Sequence, residues 1–172
     1  VATGEVLAMA NLPTYNNNRV TGENRDAHRN RAVTDLLEPG STMKPITVAA
    51  ALEKGVITPA STFNTSPGWI PNGRFRTSDF RNYGVLDTTG IITKSSNVGS
   101  AMIVHKLDNQ YFYDFVRSFG YGQSTGSGFP GEAAGLFPDP SRWSGTSKQG
   151  MSYGYGLSVT PMQIAHAYAT LG

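Results

Sequence analysis

Ser41 and Lys44 stand three residues apart in Glu38-Pro39-Gly40-Ser41-Thr42-Met43-Lys44-Pro45, directly after a turn-forming Pro-Gly pair. If a helix begins at Ser41, that spacing stacks the lysine nitrogen over the serine hydroxyl on one face. A serine hydroxyl is a weak nucleophile until a neighbouring base takes its proton, and a desolvated lysine can be that base. Backbone N–H groups at a helix start also favour negative charge developing beside them. The chemistry suggested is nucleophilic attack by an activated Ser41. Taken alone, the pair also fits an N-capping serine followed by a solvated lysine.

Lys94-Ser95-Ser96-Asn97-Val98-Gly99 shifts that balance. A Ser-x-x-Lys pair, a Ser-x-Asn element and a Lys-Thr-Gly element together mark serine enzymes that react with penicillin. The first two elements are present. No Lys-Thr-Gly or Lys-Ser-Gly occurs: the lysines after Lys94 are Lys106 and Lys148, and neither begins such a triplet.

Further blocks extend the pattern along the chain. They are Thr3-Gly4-Glu5-Val6-Leu7-Ala8-Met9-Ala10, Arg29-Asn30-Arg31-Ala32, Gly128-Phe129-Pro130-Gly131-Glu132 and Tyr153-Gly154-Tyr155-Gly156-Leu157-Ser158-Val159-Thr160. In order and spacing the whole resembles the transpeptidase domain of a class B penicillin-binding protein, most like the division-specific type. The resemblance implies an α+β fold of the penicillin-binding transpeptidase and serine β-lactamase kind, an antiparallel sheet with a helical subdomain. Residues 1–172 would then be a partial transpeptidase domain, mainly its helical part with one leading strand. The third motif is expected on a strand beyond Gly172, so the 172 residues alone are expected neither to acylate efficiently nor to fold stably.

The resemblance also implies an activity, a D,D-transpeptidase that cross-links peptidoglycan stem peptides in septum formation. The same chemistry would support a serine β-lactamase or D,D-carboxypeptidase, and the same fold a non-catalytic penicillin-binding sensor or divisome scaffold. Ser41 would attack the carbonyl of a D-alanyl-D-alanine peptide or a β-lactam, and Lys44 would accept its proton. Ser95 would pass a proton toward the leaving group. Asn97 would bond the substrate amide and orient Lys44. Burial beside Ser95 and Asn97, with no carboxylate partner, is expected to lower the Lys44 pKa. Tyr153 and Tyr155 would lie beside the cleft, as substrate contacts or as packing. Implied partners are the stem peptide, β-lactams and divisome membrane proteins, and no cofactor is called for. The implied location is a periplasmic domain of an inner-membrane-anchored protein, its anchor upstream of Val1.

Composition is compatible with this and could not have found it. The 172 residues, 38% of them hydrophobic, are enough for one core. A net charge of +2, with scattered basic residues, gives no reason to expect a nucleic-acid partner. The absence of cysteine excludes disulfides, thiolate metal sites and a cysteine nucleophile. No run approaches the roughly 18 apolar residues of a membrane span. His28, His105 and His166 fit no metal-ligand spacing.

The elements that must position these residues are readable in outline. Residues 5–10 read as a strand and 16–30 as an irregular polar surface. A helix is predicted from Ser41 to a C′ glycine at Gly55, although Pro45 biases Lys44 away from helical angles. Residues 59–84 read as loop with one short hairpin. Asp87 or Thr88 should cap a short helix to about Ser95, a second should span 98–107, and Asn109 should cap a third that stops at Gly120. Residues 111–119 place their aromatics on a helical core face. Residues 120–150 read as loop, and Thr160, Pro161 and Gln163 predict a capping box for the last helix.

Overall fold

The helix-start signals read from the sequence account for most of the architecture. The computed structural model describes residues 3–20 and 22–172. A 3-10 stretch at Gly22–His28 leads to α1 (Arg31–Thr34), and a tighter 3-10 turn at Gly40–Met43 runs straight into α2 (Lys44–Glu53). Four short strands follow: β1 (Thr62–Asn64), β2 (Trp69–Asn72), β3 (Phe75–Ser78) and β4 (Val85–Asp87). They form two antiparallel ladders, β1 with β4 and the hairpin β2–β3, in which Ile70 faces Thr77. Then come α3 (Thr88–Thr93), α4 (Asn97–Val104), α5 (Asn109–Ser118), α6 (Ser147–Met151) and α7 (Pro161–Leu171). This is the mixed helix and sheet architecture expected.

Local chemistry explains the helix starts. Asp87, Ser96, Asp108 and Thr160 each accept a hydrogen bond from the backbone N–H three residues ahead, satisfying a donor that the first helical turn leaves free. The third of these differs from expectation by one residue: the cap is Asp108, not Asn109. Thr160 and Gln163 form the full capping box. Pro45 is tolerated because it sits in the first turn of α2, where its missing N–H costs nothing, and Lys44 keeps helical angles (φ −59°, ψ −42°).

Helix α2 is the hub. It packs on α4 and on α5, and Met43, Ile46, Ala50, Ala51, Ile103, Phe112 and Val116 are fully buried around it. The alanines of α2 permit close approach to its neighbours without side-chain entropy loss. The polar segment 16–30 is less irregular than its composition suggests, since its 3-10 stretch buries Ala27.

Residues 5–10 depart from expectation: they form no strand. A strand requires a ladder partner, and none of the described residues supplies one. The segment runs over the surface with Leu7 92% exposed. Together with α7 and residues 125–129 it walls a groove of about 860 Å³ that contains none of the candidate catalytic residues. Among the described residues no helix is long and apolar enough to cross a membrane.

Candidate active site

The 3-10 turn at Gly40–Met43 presents the Ser41 side chain to solvent while the next residue inward on the same face, Lys44, is only 2% exposed. The Lys44 ammonium lies 2.7 Å from Ser41 Oγ. It also donates to the carbonyl and hydroxyl oxygens of Ser95, at 2.9 Å each. Ser95 Oγ is in turn 2.9 Å from Ser41 Oγ. Three polar groups thus close a triangle, each within the reach that proton transfer requires. Among the described residues, the Ser41 hydroxyl is bonded to Lys44 and Ser95, and the helix start shows no side-chain cap.

Burial pushes the Lys44 amine down, from 10.5 to about 8, and the Asp79 carboxylate acts in the opposite direction. The lowered direction follows from desolvation of a cation. A carboxylate bearing on Lys44 was not expected from the sequence. With its pKa at about 8, roughly a tenth of the amine is free base at pH 7, against well under a thousandth for an ordinary lysine.

Ser95 reaches the triangle through an unusual backbone. Its φ is +53°, rare for a residue with a side chain, and the turn is held at both ends. Ser96 N donates to Ile91 O at 2.9 Å. Ser96 Oγ caps α4 through Gly99 N at 2.8 Å and donates to Asp79 Oδ2 at 2.7 Å. Val98 N donates to Asp79 Oδ1 at 3.0 Å. Asn97 opens α4 and donates from Nδ2 to Ser78 O at 3.0 Å. It makes no hydrogen bond to Lys44 among the described residues, so the expected orientation of Lys44 comes from Ser95 instead.

Residues 152–156 brace the nucleophile turn from the other side. Ser152 O accepts from Thr47 Oγ1 on α2 at 2.9 Å and from Ser100 Oγ on α4 at 2.7 Å. Gly40 N donates to Gly154 O at 3.1 Å. Gly154 has φ +91°, and a Cβ there would lie 2.6 Å from Gly40 C and closer still to its N and O. Only glycine fits that approach. Glu38, an exposed turn carboxylate, accepts from Gly156 N at 2.9 Å. The two tyrosines of this segment differ. The Tyr153 hydroxyl is 2.7 Å from Thr77 Oγ1, which Gln149 also approaches, so its polar end is committed to packing. Tyr155 is 53% exposed and rests edge-on against Tyr153, with ring centroids 5.8 Å apart.

Asp79, Glu38 and Gly154 are positioning groups to which the sequence alone assigned no role in the site. Each acts across a long sequence separation, so no local pattern announces it. The histidines lie apart from one another: His105 bonds Gln149, and His28 packs on Tyr15. No grouping of His, Cys, Asp or Glu able to hold a metal occurs among the described residues.

Comparison with known proteins gives a consistent result. The family model for the penicillin binding protein transpeptidase domain matches residues 1–172. The chain is 46% identical over 172 residues to the peptidoglycan D,D-transpeptidase FtsI of Escherichia coli K12 and spans 29% of its length. It is 43% identical over 169 residues to the probable peptidoglycan D,D-transpeptidase PenA of Neisseria gonorrhoeae, again spanning 29%. Among solved structures, the transpeptidase domain of Burkholderia pseudomallei penicillin-binding protein 3 superposes with a TM-score of 0.81. That match has 38% identity and covers 83% of this chain and 43% of the other. A Burkholderia ambifaria structure described as a peptidoglycan glycosyltransferase matches at TM-score 0.89 and 39% identity, covering 99% of this chain and 50% of that one.

Proposed function

We propose a function from one premise: the chain belongs to the penicillin-binding protein transpeptidase family. It is the part of a peptidoglycan D,D-transpeptidase that carries the nucleophile and its base. The observation that carries this reading is the hydrogen-bonded triangle of Ser41, Lys44 and Ser95, with edges of 2.7, 2.9 and 2.9 Å.

In the proposed reaction, Ser41 Oγ bonds to the carbonyl carbon of a D-alanyl-D-alanine peptide as its proton passes to the Lys44 amine. The Ser41 backbone N–H donates to the developing oxyanion. Collapse of the tetrahedral adduct breaks the C–N bond. The proton held on Lys44 reaches the departing D-alanine amine through Ser95 Oγ, leaving an acyl ester on Ser41. The amine of a second stem peptide then attacks the ester, gives up its proton along the same path, and restores Ser41. A β-lactam would acylate Ser41 by the same first step. Asn97 would hydrogen-bond the substrate amide, and Tyr155, whose ring is exposed, would contact the substrate.

The 29% span of the curated relatives leaves the whole protein's partners open to proposal. We assign residues 1–172 to part of one transpeptidase domain, working in septal wall synthesis on the periplasmic side of the inner membrane, with divisome membrane proteins as neighbours. The test is to label the full-length protein with a fluorescent penicillin and map the adduct by mass spectrometry of a digest. Labelling at Ser41, abolished in Ser41→Ala, is expected. A label on Ser95, Ser96 or elsewhere would refute the assignment.

A further inference from the structure

Gln149, on α6, is buried and lies outside every motif block of the sequence, yet both N–H donors and the oxygen of its amide are in use. Nε2 donates to Pro71 O on β2 at 3.2 Å and to Thr77 Oγ1 on β3 at 2.8 Å. Oε1 lies 3.0 Å from Nε2 of His105, at the end of α4. Pro71 O can only accept, so Nε2 must face it, and the amide has one orientation. His105 then presents an N–H at Nε2. Thr77 Oγ1, itself buried, accepts from Gln149 and must place its own hydrogen. Among the described residues the acceptor left for it is the Tyr153 hydroxyl oxygen, 2.7 Å away. The chain therefore runs in one direction, from His105 through Gln149 and Thr77 to Tyr153.

Both ends of this chain adjoin backbone that holds the candidate site. Thr77 precedes Ser78, whose carbonyl takes Asn97 Nδ2 at 3.0 Å. Tyr153 precedes Gly154, whose carbonyl takes Gly40 N at 3.1 Å, next to Ser41. We propose that Gln149 is a positioning residue for acylation: its buried amide ties the strand that fixes Asn97 to the segment that fixes the nucleophile turn, and so keeps the two halves of the site in register. The inference rests on the reading of Ser41 and Lys44 given above. An apolar side chain of the same length would fill the space but not make the tie, and it would leave Pro71 O without the amide donor it has now.

Single-turnover labelling of the full-length protein by a fluorescent penicillin, run below the melting transition of each variant, separates half-saturating concentration from limiting acylation rate. Gln149→Met removes the amide at nearly constant volume. Thr77→Val breaks the chain one link further on and leaves Gln149 in place. Each should lower the limiting rate about 10-fold, as a misplaced site does, with the half-saturating concentration changed by less than about 2-fold. Gln149→Glu keeps an acceptor for His105, the titratable side chain in contact with the amide, which donates from Nε2 whether neutral or cationic. Ionised, the new side chain offers Pro71 O no donor; its rate deficit against the unaltered protein should shrink as pH falls and the buried carboxyl takes up a proton. Limiting rates within about 2-fold of the unaltered protein in Gln149→Met and Thr77→Val, with lowered melting temperatures, would make Gln149 an ordinary core residue and overturn the proposal. A Gln149→Glu deficit that does not change with pH overturns it too. Should Gln149→Met fail to fold, Thr77→Val and Gln149→Glu decide the matter. Hydrogen exchange at the Gly40 amide, bonded to Gly154 O, should quicken in Gln149→Met whatever Ser41 does. Failure to label Ser41 in the unaltered protein, with that change in exchange intact, would remove the proposed function and leave the tie standing.

Discussion

Replacing Gly154 by alanine tests whether the 152–156 segment truly holds the nucleophile turn. Two costs are separable there. The first is the positive φ of +91°, which disfavours any side chain by about 1 kcal/mol. The second is collision: the new Cβ would sit 2.6 Å from Gly40 C, whereas ordinary contact begins at 3.4 Å. The segment must therefore retreat by close to 1 Å, breaking the 3.1 Å bond from Gly40 N to Gly154 O, at about 1 kcal/mol. Together with residual strain, the destabilisation should reach about 2–4 kcal/mol, or a fall in Tm of about 5–12 °C for a protein domain of this size. Because Gly40 adjoins Ser41, a displacement approaching 1 Å should slow acylation about 100-fold. Gly156→Ala is the matched control, with φ +78° and open space around its Cβ. It should cost about 1 kcal/mol and slow acylation less than about 3-fold. Penicillin acylation kinetics and thermal melts on both variants decide the matter. Equal rate losses in the two would refute the claim that close approach, rather than backbone strain, positions Ser41.

Three further outcomes are expected. Acylation should rise with pH through about 8 as Lys44 loses its proton, and Lys44→Arg should abolish that limb and cost at least about 100-fold, since arginine does not deprotonate; stopped-flow labelling across pH 6–10 (a window of about two units on either side) reads both. Burial alone would raise the Glu132 carboxyl, but hydrogen bonds from Thr125, Ser124 and Ser127 outweigh it and hold the group down to about 2; a depressed carboxylate adds stability above its unfolded value of 4.5 and loses it as pH falls toward 2, so the acid side of the melting profile should flatten in Glu132→Gln. Gln163 is fully buried, accepts from Thr160 N and donates to Gln123 O and Ala134 O; Gln163→Ala should lower stability by about 2–4 kcal/mol, seen as a drop in denaturation midpoint.

What could be read in advance follows the range of the interactions involved. The caps at Asp87 and Thr160 close within three residues, as does the Ser41–Lys44 pair, so sequence spacing alone predicts the contact. Ser95 entered through motif resemblance, because nothing local says that a residue 54 positions from Ser41 will bond it. Asp79 was illegible for the same reason and lacked a motif to compensate, while the motif block around Gly154 gave no sign that its backbone would meet Gly40. The strand expected at residues 5–10 shows the converse error: β-propensity describes a segment that could pair, while the pairing depends on a partner elsewhere. Asn97 was given the task of orienting Lys44, but the strained Ser95 backbone carries its carbonyl to the amine first.

The brace on the nucleophile turn has a consequence in time. A chain emerges from the ribosome N-terminus first, at about 5–20 residues per second. Glu38 must wait for Gly156, 118 positions later, and Ser41 for Ser95, 54 positions later. For many seconds the Ser-x-x-Lys pair exists with its lysine still hydrated and fully protonated, and its serine no more reactive than any other. The nucleophile turn is thus set only after these distant segments appear, and the Gly40 amide in arrested nascent chains should stay unprotected from hydrogen exchange until residue 154 has emerged.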